Sequence, residues 1–400
     1  MASPLPVAST VPPPPGSGRS LVVHSARLVE GGESTEDAWL RIEEGRVVAR
    51  GVGRGWTPAD EVVDASGAAG PGAVLTPGFV DIHCHGGGGA SFEDGPDSIR
   101  AARALHRRHG TTRALVSLVS APLEDLVRRA AEVAELMKTD ADILGSHLEG
   151  PFLDRGRHGA HDPSHLREPV AADVARLLAA GDGTVRQVTL APELPGAFDA
   201  IRLIIEAGSS AAVGHTNADA TMVARAFDAG ASILTHAFNA MPGIHHRAPG
   251  PVLAATADER VTLEVIADGV HLDPLLIGLL FRAAPGRVAL VTDAMAAAGN
   301  GDGAYALGPV DVTVADGVAR ADRTGSIAGS TLTQDAALRC AVAAGATLEQ
   351  AVGAMTSTPA AAIGHGSELG RLTIGSLGDA VLLDAQLRVR QVWDAGRLVS

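Results

Sequence analysis

The chain has 400 residues, 20% of them charged and 46% hydrophobic, and a formal net charge of -14, which excludes a nucleic-acid or anionic-membrane surface as its main partner. Two cysteines, Cys84 and Cys340, are too few for a disulfide framework and suit a reducing cytosol. Lys138 is the only lysine, so arginine supplies nearly all of the positive charge.

Residues 1–20 are rich in Pro, Ser and Ala and lack the apolar core of a signal peptide; they read as a disordered tail on a cytoplasmic protein. No apolar run reaches the roughly 18 residues that a membrane span needs. From residue 21 the pattern is short alternating strands with Gly-rich turns, and a matching β-rich stretch closes the chain from residue 371. Residues 21–73 and 371–400 are therefore expected to build one small β-sandwich domain from both chain ends.

Between them, residues 74–370 repeat strand, loop and helix. Eight apolar strands fall at 74–83, 113–117, 142–147, 186–190, 211–215, 232–236, 262–267 and 287–292, with helical stretches such as 98–108, 123–137, 219–229 and 274–283 between many of them. Continuous apolar strands are those covered on both faces, and eight alternations make an α/β fold of the (β/α)8 TIM-barrel type.

The first strand carries the chemistry. It runs Pro-Gly-Phe-Val-Asp-Ile-His-Cys-His at 77–85 and stops in four glycines, and strand alternation puts His83 and His85 on one side. Glu149, His215, His236 and Asp293 follow at or just beyond later strand ends, on the face where such barrels place their sites. Taken singly, each reads as well as a satisfied core histidine or a helix cap. Together they are a ligand set for one or two divalent ions, Zn first and Fe, Mn or Co equally compatible with N/O donors. The glycines at 86–89 lack the Lys-Ser/Thr of a phosphate loop, and Ser330 lacks the elbow of a nucleophilic serine.

The order of further segments sharpens this. His-Leu-Glu-Gly-Pro-Phe-Leu at 147–153, Gly-Ala-His at 159–161, Gly-His-Thr-Asn at 214–217, Thr-His-Ala-Phe-Asn-Ala-Met at 235–241, Arg-Ala-Pro-Gly at 247–250, Ala-Asp-Gly-Val-His at 267–271, Val-Thr-Asp-Ala at 291–294 and Ala-Gly-Ser-Thr at 328–331 closely resemble the motif series of the N-acetylglucosamine-6-phosphate deacetylases of the amidohydrolase superfamily. The match runs from about residue 77 to 384. That resemblance implies Glu149, His215 and His236 as core metal ligands, with His83 and His85 adding a second ion position and Asp293 near it. A carboxylated lysine is not available as a bridge, because Lys138 lies in a helical run before the third strand.

The resemblance further implies hydrolysis of the acetamide of N-acetylglucosamine 6-phosphate to the amine and acetate. Asp293 would act as base and then acid, although a ligand or capping role remains open, and His161 would donate to the substrate carbonyl, although its loop also suits a surface histidine. Gly150, His161, Asn239, Ala240, Arg247, His271 and Ile327 would contact substrate. Arg247 would take the phosphate, in its own or a partner subunit of a homodimer; without the resemblance it reads as a solvated loop arginine. Alternatives are the galactosamine epimer, a dihydroorotase- or hydantoinase-like cyclic amidase, which the missing lysine disfavours, and a non-catalytic binding barrel, which the full set of acids disfavours.

Overall fold

The computed structural model of the protein describes residues 19–400; most of the 1–20 tail lies outside the described residues. Ser20, inside that expected tail, is tied down, donating from its N–H and its hydroxyl to Asp60 at 2.8 Å each.

Eight parallel strands form the barrel: Phe79–Asp81, Thr111–Val119, Ile143–Glu149, Val185–Leu190, Ser210–Val213, Ile233–Leu234, Thr262–Ile266 and Val288–Val291. They are hydrogen-bonded in chain order. The first and last are joined outside the ladder by Asp293 N–H donating to the His83 carbonyl at 2.8 Å and by Thr292 Oγ1 donating to Asp81 Oδ2 at 2.6 Å. Every residue of Thr111–Val119 is buried, as the apolar run requires when helices cover the sheet.

Helices follow the strands where the sequence places them, including Pro96–Arg108, Leu123–Leu136, Ala220–Asp228 and Pro274–Ala283. Their starts have local causes. Asp219 accepts from Met222 N–H and Asp273 from Leu275 N–H, both at 2.8 Å, and Pro274 occupies the first turn, where its missing donor costs nothing.

The two chain ends do meet. Leu21–Glu30, Glu33–Glu43, Arg46–Val52 and Glu61–Asp64 join Ala380–Leu383, Val389–Asp394 and Arg397–Leu398 in one mixed sheet around its own core of Leu40, Ile42, Leu75, Leu382 and Trp393. The expected first barrel strand, 74–83, is divided. Val74–Pro77 pairs with both chain ends in that sheet, and the barrel begins at Phe79. Gly78 is the crossing point: a Cβ there would lie 2.2 Å from Thr112 Oγ1 and 2.9 Å from Asp379 Cβ, so only glycine passes.

Arg113, fully buried on the second barrel strand, locks the two units together. It donates to Asp379 at 2.7 and 2.9 Å and to Asp394 at 2.8 Å. A three-stranded antiparallel insertion, Gly303–Leu307, Val310–Ala315 and Val318–Ala321, was not among the expected elements; it follows the eighth strand and lies over the barrel mouth. No helix among the described residues is long and apolar enough to cross a membrane.

Candidate metal centre and active site

All six strand-end residues converge. His83, His85 and Asp293 form one buried group and Glu149, His215 and His236 a second, with ligand atoms in each within 4.8 Å of one another. Glu149 stands between them. Its Oε1 lies 3.1 Å from both His215 Nε2 and His236 Nε2 and 3.4 Å from His83 Nε2, while its Oε2 lies 3.2 Å from His85 Nε2. Asp293 Oδ1 is 3.3 Å from His85 Nε2 and 3.5 Å from His83 Nε2.

The backbone that presents these groups is costly. His215, His236 and Asp293 have φ of 47°, 28° and 46°, in the left-handed region that non-glycine residues avoid at about 1–3 kcal/mol each. Three such residues at consecutive ligand positions turn the chain inward at the barrel rim.

The outward nitrogens settle which atoms face the centre. His83 Nδ1–H donates to Glu264 at 2.9 Å and His215 Nδ1–H to the Arg157 carbonyl at 2.8 Å, so both Nε2 atoms face Glu149. Two carboxylates and four imidazole nitrogens packed this closely need positive charge among them, from protons or from a bound cation. Burial opposes charge on His83 and His85, yet Glu149 and Asp293 overcome it, holding His83 well above its ordinary pKa and His85 up at about 10. Nitrogen and carboxylate donors in two triads around a shared acid suit one or two borderline divalent cations.

His161 is of another kind. Its Nδ1 accepts from Ser120 N–H at 3.2 Å, which leaves the proton on Nε2, 3.3 Å from Glu149 Oε2. Burial presses its pKa down to about 4, against the pull of Glu149, so it is a neutral donor near pH 7. Asp293 is held down at about 2: burial raises it, but His83 and the bond from His85 prevail.

A cavity of about 340 Å³ opens over the centre, walled by His85, Glu149, His161, His215, His236 and Asp293 together with Asn239, Ala240, His271 and Ile327. His271 is oriented by a 2.7 Å bond from its Nδ1–H to Asp268, whose charge raises its pKa against burial.

Two of the expected contacts are not brought to the wall of this cavity. Gly150 is buried beneath it, where a Cβ would meet Ser120 Oγ at 2.3 Å, so its glycine character answers packing at φ +90°. Arg247 stands exposed in the loop at 242–249, which has no element to carry it inward within one chain.

Sequence reasoning missed Arg157, Leu307 and Ser326 on the wall, and Glu264 behind it. For Glu264 a signal existed: it is the one charge within the apolar run of Thr262–Ile266.

A closed parallel barrel with histidines and acids gathered at its strand ends defines a hydrolase barrel of the metal-assisted kind. The profile of the amidohydrolase family matches residues 74–399, and the chain belongs to that family. N-acetylgalactosamine-6-phosphate deacetylase of Escherichia coli O157:H7 is 38% identical over 92% of the chain and 97% of its own length. N-acetylglucosamine-6-phosphate deacetylase of Bos taurus is 35% identical over 96% of the chain and 97% of its own. Among solved structures, an N-acetyl-D-glucosamine-6-phosphate deacetylase variant from Mycobacterium smegmatis, in complex with N-acetyl-D-glucosamine-6-phosphate, has a TM-score of 0.89 and 43% identity, covering 96% of this chain and 100% of that one.

Proposed function

We propose that the protein hydrolyses the acetamide of N-acetylglucosamine 6-phosphate, giving glucosamine 6-phosphate and acetate. The observation that carries this reading is the placement of Glu149 between two histidine-bearing triads beneath a cavity that also holds the neutral donor His161. The named relatives and the substrate complex of the Mycobacterium smegmatis enzyme supply the substrate class.

Glu149, His215 and His236 would hold one divalent ion, and His83, His85 and Asp293 a second that shares Glu149. Such an ion acidifies water and polarises an amide carbonyl, and Zn is the first choice for this donor set. Asp293 takes the proton of the attacking water at a carboxylate oxygen as the new C–O bond forms. It then delivers that proton to the nitrogen as the C–N bond breaks, so the amine leaves neutral. His161 Nε2–H donates to the carbonyl oxygen as negative charge develops there. Asn239, Ala240, His271 and Ile327 shape the sugar site. The phosphate falls to Arg247, which reaches a cavity only if a homodimer partner's loop closes over it.

The galactosamine epimer is the second reading, favoured by the 38% identity to the Escherichia coli enzyme. A cyclic amidase with a carboxylated lysine is disfavoured, since Lys138 pairs with Glu135 at 2.6 Å on the protein surface. A cytoplasmic setting fits Cys84 and Cys340, which are both free.

The test is acetate release from the two 6-phosphate epimers, from unphosphorylated N-acetylglucosamine and from a hydantoin. Hydrolysis of the 6-phosphates alone is expected. Equal turnover of the unphosphorylated sugar would remove the phosphate role of Arg247, and ring opening of the hydantoin alone would overturn the proposal.

A further inference from the structure

Glu264 is fully buried in the middle of the seventh barrel strand, where its apolar neighbours would be matched by an apolar side chain. A carboxylate in such a place needs partners, because burial strips its water. Its Oε2 lies 2.9 Å from His83 Nδ1 and 3.2 Å from the backbone nitrogen of His236, and its Oε1 accepts from Gln187 Nε2 at 2.6 Å. Among the described residues it has no arginine or lysine partner; its single ion pair is with His83. It does not line the cavity.

We infer that Glu264 is the positioning residue that ties the two halves of the metal centre together. Through His83 Nδ1–H it fixes the ring so that Nε2 faces Glu149, and it strengthens that nitrogen as an electron-pair donor. Through the His236 N–H it holds a residue whose φ of 28° needs an external anchor. One carboxylate thus steadies a histidine of each triad, and Gln187 in turn steadies the carboxylate. Partners of this kind behind a metal-binding histidine are worth about 10–100-fold in metal affinity.

Glu264→Gln separates the charge from the shape. The amide oxygen can keep the contacts to His83 and His236. The amide nitrogen then faces Gln187, whose Oε1 is buried and without a partner, so Gln187 can turn over and accept. What is lost is the negative charge behind His83.

The inference rests on the metal reading of the two triads and is independent of which sugar is hydrolysed. Metal-free wild-type protein and Glu264→Gln are titrated with Zn2+ against a chromophoric chelator, with thermal unfolding of both metal-free forms alongside. The variant should unfold near the wild-type temperature and bind zinc about 10–100-fold more weakly, mainly at the position that uses His83. Affinity equal to wild type would overturn the role of Glu264 while leaving the metal reading in place. If wild type itself takes up no zinc, the metal reading falls and this inference with it. Should Glu264→Gln not fold, Glu264→Asp carries the same measurement: its shorter carboxylate draws back from His83, so weakened binding is expected and unchanged binding contradicts the inference.

Discussion

The backbone N–H of Asp293 donates to the carbonyl of His83 at 2.8 Å, so the residues that join the last barrel strand to the first also present ligand atoms to the same buried group. Closing the barrel brings the side chains of His83, His85 and Asp293 together. A chain that fails to close leaves the His83, His85 and Asp293 group unformed.

His83→Ala removes one histidine from that group and leaves Glu149, His215 and His236 intact. Metal analysis of the purified variant should show about one equivalent fewer per chain, since ligand count governs occupancy. Unchanged stoichiometry would mean a single ion at the Glu149, His215 and His236 group.

Asp293→Asn keeps the shape and an oxygen ligand but cannot take a proton. Turnover should fall by about 10²–10⁴-fold, the usual contribution of a positioned acid–base group, with the metal held by Glu149, His215 and His236 retained. Near-normal kcat in the metal-loaded variant removes Asp293 from proton transfer.

Arg113→Met would leave Asp379 and Asp394 buried against each other without their shared cation. Breaking a buried ion network in this way costs about 3–5 kcal/mol, read by denaturant unfolding. A loss near zero would mean that the joint between barrel and chain-end sheet rests on apolar packing alone.

Asp335 opens the helix Gln334–Ala343 and bonds to His109 at 2.9 Å, Arg339 at 2.8 Å and Thr333 at 2.7 Å. Burial raises its pKa, but these partners hold it far below the ordinary carboxylate range. A folded pKa below the unfolded one stabilises above about pH 4 and loses that contribution as pH falls further. Asp335→Asn should therefore destabilise the protein at pH 7 and progressively less below pH 4. A difference between variant and wild type that does not change with pH would contradict this.

Much of this was legible in the sequence because the barrel writes a regular text. Apolar strands, helix caps such as Asp219 and Asp273, and histidines at strand ends are local signals. The six residues that gather at the barrel rim could be named from them and from their motifs. What stayed hidden depended on long-range contact. The division of 74–83 at Gly78 follows from how closely Thr112 and Asp379 approach it. The partnership of His83 with Glu264 spans 181 positions. The insertion at 303–321 does carry alternating strands and an Asp-Gly turn, but it interrupts the strand-and-helix rhythm of the barrel.

The most direct test of the central claim is acetate release from N-acetylglucosamine 6-phosphate by protein stripped with a chelator, then by the same protein after Zn2+ is returned. Loss of turnover on stripping and its recovery on reconstitution are predicted. Full turnover by the stripped protein, with only a trace of metal left, would contradict the account.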